Sequence, residues 1–136
     1  MNLENQTIEK TTLSQLIHNE NFNRKVIPFL KKDYFKERSE QILFEEINDF
    51  VEKYSNPPTK EALEIEIDNR KDLSDTEHKQ TVELLKTLQH NDVDFKWLTD
   101  SVEKFCKDRA VYNAVVDSIR IIAVSYTHLR AHETPC

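Results

Sequence analysis

The stretch FKWLTDSVEKFCKDRAVYNAVVDSIRII, residues 95–122, decides the fold class of this chain. Its apolar residues recur at alternating steps of four and three positions, which predicts one helix with a heptad seam. The seam consists of Leu98, Val102, Phe105, Arg109, Tyr112, Val116 and Ile119, and Ile122 widens its distal end. Such a helix would be about 42 Å long, which is more than a small domain can cover. We expect the proximal half to pack on the chain's own core and the distal half to pack on another helix, and we take all eight residues as the candidate partner interface.

The chain contains no glycine among its 136 residues, although average usage is about 7%. The P-loop and the dinucleotide-binding turn both need glycines where the backbone approaches phosphate, so the sequence excludes both motifs. Tight hairpins also favour glycine, and the composition therefore favours an all-α fold. We predict a small orthogonal helical bundle over residues 1–94, followed by one long helix over residues 95–123.

The charge balance and the cysteines restrict the partners and the compartment. A net charge of −6 argues against broad binding to nucleic-acid phosphates, which needs a basic face. Cys106 and Cys136 do not make a disulfide framework, and Cys106 is typical of a small core residue in a reducing, cytoplasmic compartment. No apolar run reaches the roughly 18 residues that span a bilayer, so we expect no membrane partner.

Cap and break signals divide residues 1–94 into short helices. We predict a helix over residues 8–18, a polar turn over residues 19–23 and a short helix after it. Further signals are an N-cap at Ser39, a break at Asn56-Pro57-Pro58, an N-cap at Thr59, a capping box from Ser74 to Glu77 and an N-cap at Asp94. Glu45 and Glu46 lie between Ser39 and the break at Asn56, and we predict that both face water.

Two residues of the long helix each allow two interpretations. Trp97 is predicted to anchor packing against residues 82–88, and the alternative is an exposed recognition aromatic. Arg109 occupies a seam position that favours an apolar side chain. It could pair with an acid of a partner and set register, or it could extend along the seam to Glu103, Asp108 or solvent, which we favour.

No arrangement of residues points to catalysis. Paired carboxylates on helix faces are typical of solvated charge, and nothing singles out a nucleophile. His18 lies near a helix end, where a cation would complement the helix dipole. His78 and His90 lie near opposite ends of one predicted helix, too far apart to share a metal. We predict no enzyme activity, cofactor site or metal site in this chain.

The composition changes at Val124. The last segment, VSYTHLRAHETPC, continues no earlier period and resembles a translated library adaptor that recurs at broken reading frames. We interpret residues 124–136 as a non-native tail and expect the native sequence to continue differently after Ala123. The alternative is a native tail in which His128 and His132, four residues apart, ligate a metal.

Two stretches together resemble the N-terminal domain of DnaB-type replicative DNA helicases, in particular the primase-helicase branch of tailed phages. The first is TTLSQLIHNENFNRKVIPFLKKDYFKERSEQILFEEINDFVEKYSNPPTKEAL, which has the order of elements of that family. The second, residues 95–122, resembles its long helix through Trp97-Leu98, Glu103-Lys104-Phe105 and the run from Arg109 to Ala114. The resemblance covers residues 8–122.

The resemblance implies a helical bundle followed by a helical hairpin, of which residues 95–123 would be the first arm. In that family, hairpins pair, six domains form a collar on the motor ring, and the collar receives primase and a helicase loader. ATP and magnesium would belong to a motor domain beyond this fragment, and DNA would be contacted only indirectly. The alternative function is a free-standing, acidic phage regulator that binds a host protein.

Overall fold

A computed structural model describes the backbone of residues 7–133 and the side chains of residues 7–126. The helices are α1 (Ile8–His18), α2 (Glu20–Val26), α3 (Arg38–Tyr54), α4 (Lys60–Asn69), α5 (Asp75–Thr87) and α6 (Phe95–Glu133). Two short 3-10 turns span Ile27–Phe29 and Lys32–Tyr34, and we call the second one the 32–34 turn. No strand occurs in the described residues, so the prediction of an all-α bundle followed by a long helix is confirmed.

Several helix ends are set by the predicted caps. The Thr59 hydroxyl accepts from the Ala62 N–H at 3.1 Å. The Ser74 hydroxyl accepts from the Glu77 N–H at 3.1 Å, and the Glu77 carboxylate accepts from the Ser74 N–H at 3.0 Å. These bonds satisfy backbone donors that a helix start leaves unpaired. Both predictions are confirmed.

Three details of the predicted bundle are wrong. α2 begins at Glu20, within the predicted turn, because the Asn19 side chain caps it by accepting from the Phe22 N–H at 3.0 Å. Ser39 lies inside α3, whose N-cap is Glu37, and the Glu37 N–H donates to Glu40 at 3.4 Å. Glu46 is buried and does not face water, and burial is the main reason that its pKa is raised.

The core lies between the five helices of the bundle, α1 to α5, and the proximal part of α6. It consists mainly of leucine, isoleucine and phenylalanine: Leu13, Leu16, Ile17, Phe22, Leu43, Phe44, Ile47, Leu63, Ile67, Leu84, Leu85, Leu88, Leu98 and Phe105. Phe35 follows the 32–34 turn and is buried between Phe44 and Phe105, with ring centroids 5.3 and 5.8 Å away. The connector between α2 and α3 therefore contributes directly to the core.

α6 is much longer than the bundle that supports it. Its 39 residues span about 58 Å at 1.5 Å per residue. It packs against α1, α2 and the 32–34 turn, and it passes residues 123–124 without a break. The interpretation of residues 124–136 as non-native stays a prediction, and the side chains of His128 and His132 lie outside the described residues.

Candidate partner interface on the long helix

The proximal half of α6 is part of the core. Leu98, Val102 and Phe105 are buried by the chain itself, because α1, α2 and the 32–34 turn cover this side of the helix. The expectation that this half packs internally is confirmed. Inclusion of these three residues in a partner interface is therefore wrong for the folded domain, and the candidate interface narrows to the distal half.

Two polar side chains fasten α6 to the 32–34 turn where the helix leaves the bundle. The Arg109 Nε donates to the Tyr34 carbonyl at 3.0 Å, and the Asn113 Nδ2 donates to the Asp33 carbonyl at 3.1 Å. Because the donors are four residues apart, they lie one above the other on the same helix face. They satisfy two consecutive carbonyls and fix the direction in which α6 extends.

The favoured interpretation, in which Arg109 extends along the seam, is wrong for Glu103 and Asp108 as its partners. Its Nε bonds to a backbone carbonyl, its guanidinium lies 4.8 Å from the centre of the Tyr112 ring, and it is half-buried. Among residues 7–126 it forms no ion pair with Glu103 or Asp108, and Asp108 pairs instead with Lys104 at 2.9 Å. The other interpretation, pairing with an acid of a partner, stays a prediction.

Beyond Arg109, α6 presents an apolar stripe to solvent. The stripe is Tyr112, Val115, Ile119, Ile122 and Tyr126, each between 52% and 67% exposed. Spacings of three and four residues place these side chains along one side of the helix. Val116 is different, because it is half-buried and lines a cleft with Asp33 and Gln41.

The predicted interface thus contains three stripe residues, Tyr112, Ile119 and Ile122, and omits Val115 and Tyr126. The reason is helical drift: a seven-residue repeat rotates by about 20° per heptad around a straight helix. The seam faces the core at Leu98, but by Ile119 it has turned by about 60° on a part of α6 that extends past the bundle, where residues 117–126 are all exposed. The signal for Val115 was present in the sequence, because it lies three residues after Tyr112 and four before Ile119.

Trp97 lies on a second exposed surface, next to α1. It is 53% exposed, so the prediction that it anchors packing against residues 82–88 is wrong. The Trp97 N–H donates to the Asp94 carboxylate at 2.8 Å, which caps α6 as predicted, and the neighbouring Leu98 takes the core position. Trp97 and Val115 are five whole turns apart, so they point to the same side of α6.

The titratable groups do not form a catalytic or metal-binding arrangement. The His18 ring lies 5.6 Å from the His90 ring, and burial, followed by the nearby Lys60, lowers the pKa of His18. The expected histidine cation at the end of α1 is therefore disfavoured. Within the described residues, no three His, Cys, Asp or Glu side chains are grouped to hold a metal ion.

Over the same residues, no helix has the length and hydropathy of a membrane span.

The fold and the surface agree with a match to a known family. The family model of the DnaB-like helicase N-terminal domain matches residues 1–104. This chain belongs to that family. The matched residues end at Lys104, one position before the core residue Phe105. The exposed stripe therefore lies outside the matched residues.

A DnaB-family relative comes from a phage. The chain is 29% identical over 109 residues to the DnaB-like replicative helicase of Enterobacteria phage T4. The aligned part is 80% of this chain but only 23% of that helicase. The resemblance deduced from the sequence is confirmed, and the chain corresponds to the N-terminal domain of such a helicase over about a quarter of the relative's length.

Proposed function

We propose that this DnaB-family domain is an assembly module, which joins helicase subunits by helix pairing and performs no chemistry itself. The observation that carries the proposal is the apolar stripe from Tyr112 to Tyr126. Large contiguous apolar patches on soluble domains mark interaction sites, and side chains at heptad spacing fit a second helix. The Arg109 and Asn113 bonds to the 32–34 turn support the same role, because they hold the stripe at a fixed angle to the bundle.

The full assembly would be a hexameric collar that stands on a ring of motor domains and receives primase and a helicase loader. Within it, α6 acts as the first arm of a paired hairpin. ATP and magnesium would bind the motor domain of the parent helicase, and DNA would meet this domain only indirectly. Such replication takes place in the cytoplasm, which for a phage protein is that of the host.

Sedimentation equilibrium of the full 136-residue chain tests the assembly role. We expect the weight-average mass to rise with concentration, because the apolar stripe of a monomer is exposed to water and pairing would bury it. A weight-average mass that remains that of a monomer up to about 0.5 mM would refute self-association through α6. ATP hydrolysis above background, retained after repurification, would refute the proposal that the domain performs no chemistry.

The alternative, a free-standing acidic regulator, is less well supported because the family match describes a helicase domain. An intact reading frame that continues into a glycine-rich P-loop domain would exclude it. A frame that stops near Ala123 would favour it and would require revision of the collar proposal.

A further inference from the structure

A groove with a volume of about 650 Å³ separates α1 from the proximal part of α6. Its lining includes the indole of Trp97, the side chain of Ile8, and Tyr34 and Phe105 beneath them. Trp97 is half in solvent, although an indole gains much from burial. Tryptophan, tyrosine and arginine are the residue types that dominate binding energy at protein interfaces, and one of each lines this groove: Trp97, Tyr34 and Arg109.

The charge of the groove is opposite in sign to that of the chain. Three cations and two carboxylates line it: Lys36, Lys104, Arg109, Glu9 and Asp108. Lys104 and Asp108 neutralise each other at 2.9 Å. Among residues 7–126, neither Lys36 nor Arg109 forms an ion pair with a carboxylate, and the unpaired Glu9 offsets only one of them. The groove is therefore locally positive in a chain of net charge −6.

The guanidinium of Arg109 retains capacity for a further ligand. Its Nε bonds to the Tyr34 carbonyl, but a guanidinium has five N–H donors in a fixed fork. The terminal amino groups match the geometry of a carboxylate. Trp97 and Arg109 thus offer an apolar site and an anion-binding group in one groove.

We propose that this groove docks a short amphipathic segment of another protein, which inserts an aliphatic or aromatic anchor beside Trp97 and places carboxylates against Lys36 and Arg109. The stripe of a second copy is a poorer occupant, because Asp117, the one acid in residues 110–126, lies about 200° around the axis from Ile119 and is paired with Arg120 at 3.7 Å. The proposal is separate from self-association, which uses residues 112–126.

The single tryptophan of the chain makes the groove directly observable. The probe is a synthetic amphipathic helix of about sixteen residues without tryptophan, with leucines at helical spacing and glutamates elsewhere. The comparison peptide replaces every glutamate with lysine. At low salt, where screening is weak, we expect a saturable shift of the Trp97 emission to shorter wavelengths. The acidic peptide should bind at least about tenfold more tightly than the basic one, and equal binding of the two would overturn the proposal.

Matched variants assign the effect to the groove. Lys36→Glu should weaken binding of the acidic peptide several-fold, whereas Lys71→Glu, the same charge change at an exposed site outside the groove, should not. Trp97→Ala should abolish binding as measured by anisotropy of the labelled peptide, with circular dichroism to show that the domain is folded. Equal loss in Lys36→Glu and Lys71→Glu would overturn the proposal.

Self-association is monitored separately. An emission shift that grows with protein concentration alone, without peptide, would mean that a second copy covers the groove, and it would also overturn the proposal. Ile119→Ala should reduce self-association and leave peptide binding unchanged. The two proposals can therefore fail independently.

Discussion

Replacement of Ile119 by alanine should weaken self-association of this domain by about two orders of magnitude. The side chain is 60% exposed, so most of its apolar surface is still available to a partner. Removing about three methylene equivalents costs roughly 2.4 kcal/mol when the site is fully buried, and 60% of that is about 1.4 kcal/mol per copy. In a two-fold symmetric pair each copy contributes once, giving about 3 kcal/mol, or roughly 100-fold in Kd.

Ile121 provides a matched control. It is 67% exposed on the same helix, but two residues away, about 200° around the axis. Alanine has a higher helix propensity than isoleucine, so neither variant should lose helix. Sedimentation equilibrium should show a strong loss of association for Ile119→Ala and little loss for Ile121→Ala. Equal effects of the two variants, or none, would refute the assignment of the stripe.

Three further predictions concern the folded domain. Arg109→Ala should lower the free energy of unfolding in urea by about 1–2 kcal/mol, because it leaves the Tyr34 carbonyl without its donor, and Arg109→Lys should recover only part of this. The folded pKa of His18 lies below 6.5. The contribution of His18 to the free energy of unfolding is therefore present above pH 6.5 and is lost as the pH falls through the folded pKa. His18→Gln should therefore give a flatter stability profile in thermal melts over that range. Burial raises the folded pKa of Glu46 above 4.5, so stability is lost as the pH rises through the folded pKa. In urea titrations, Glu46→Gln should therefore be more stable than the parent chain at pH 7 and equally stable below pH 4.5.

The helices of the bundle could be predicted because their start signals are local. Thr59 and Ser74 act on N–H groups within three residues, so short sequence patterns contain the whole interaction. The prediction failed where two local signals compete. Glu37 and Ser39 can both cap a helix start, and the choice of Glu37 depends on where the chain enters after Phe35 has been buried.

The candidate interface was predictable only in part, because exposure depends on tertiary contacts. The sequence contains the spacing of Tyr112, Ile119 and Ile122, and these residues are exposed. It does not contain the position of the 32–34 turn, whose carbonyls accept from Arg109 and Asn113. In the sequence, Arg109 therefore interrupts the apolar pattern of the seam. In the structure, its hydrogen bond holds α6 against the 32–34 turn.

The same geometry explains why one sequence repeat can serve two purposes along α6. A heptad repeat on a straight helix turns gradually away from the surface that it first faces. Near Leu98 the repeat faces the bundle and closes the core. After three heptads it has turned by about 60° and lies on a part of α6 that extends past the bundle, where it is exposed and can meet another chain. The fold of the bundle and the pairing surface are therefore linked through the pitch of one helix. A residue inserted between Val115 and Ile119 would rotate the distal part of the stripe by about 100° away from Tyr112 and Val115 without altering the core. Sedimentation equilibrium should then show loss of the proposed pairing in a domain that still folds.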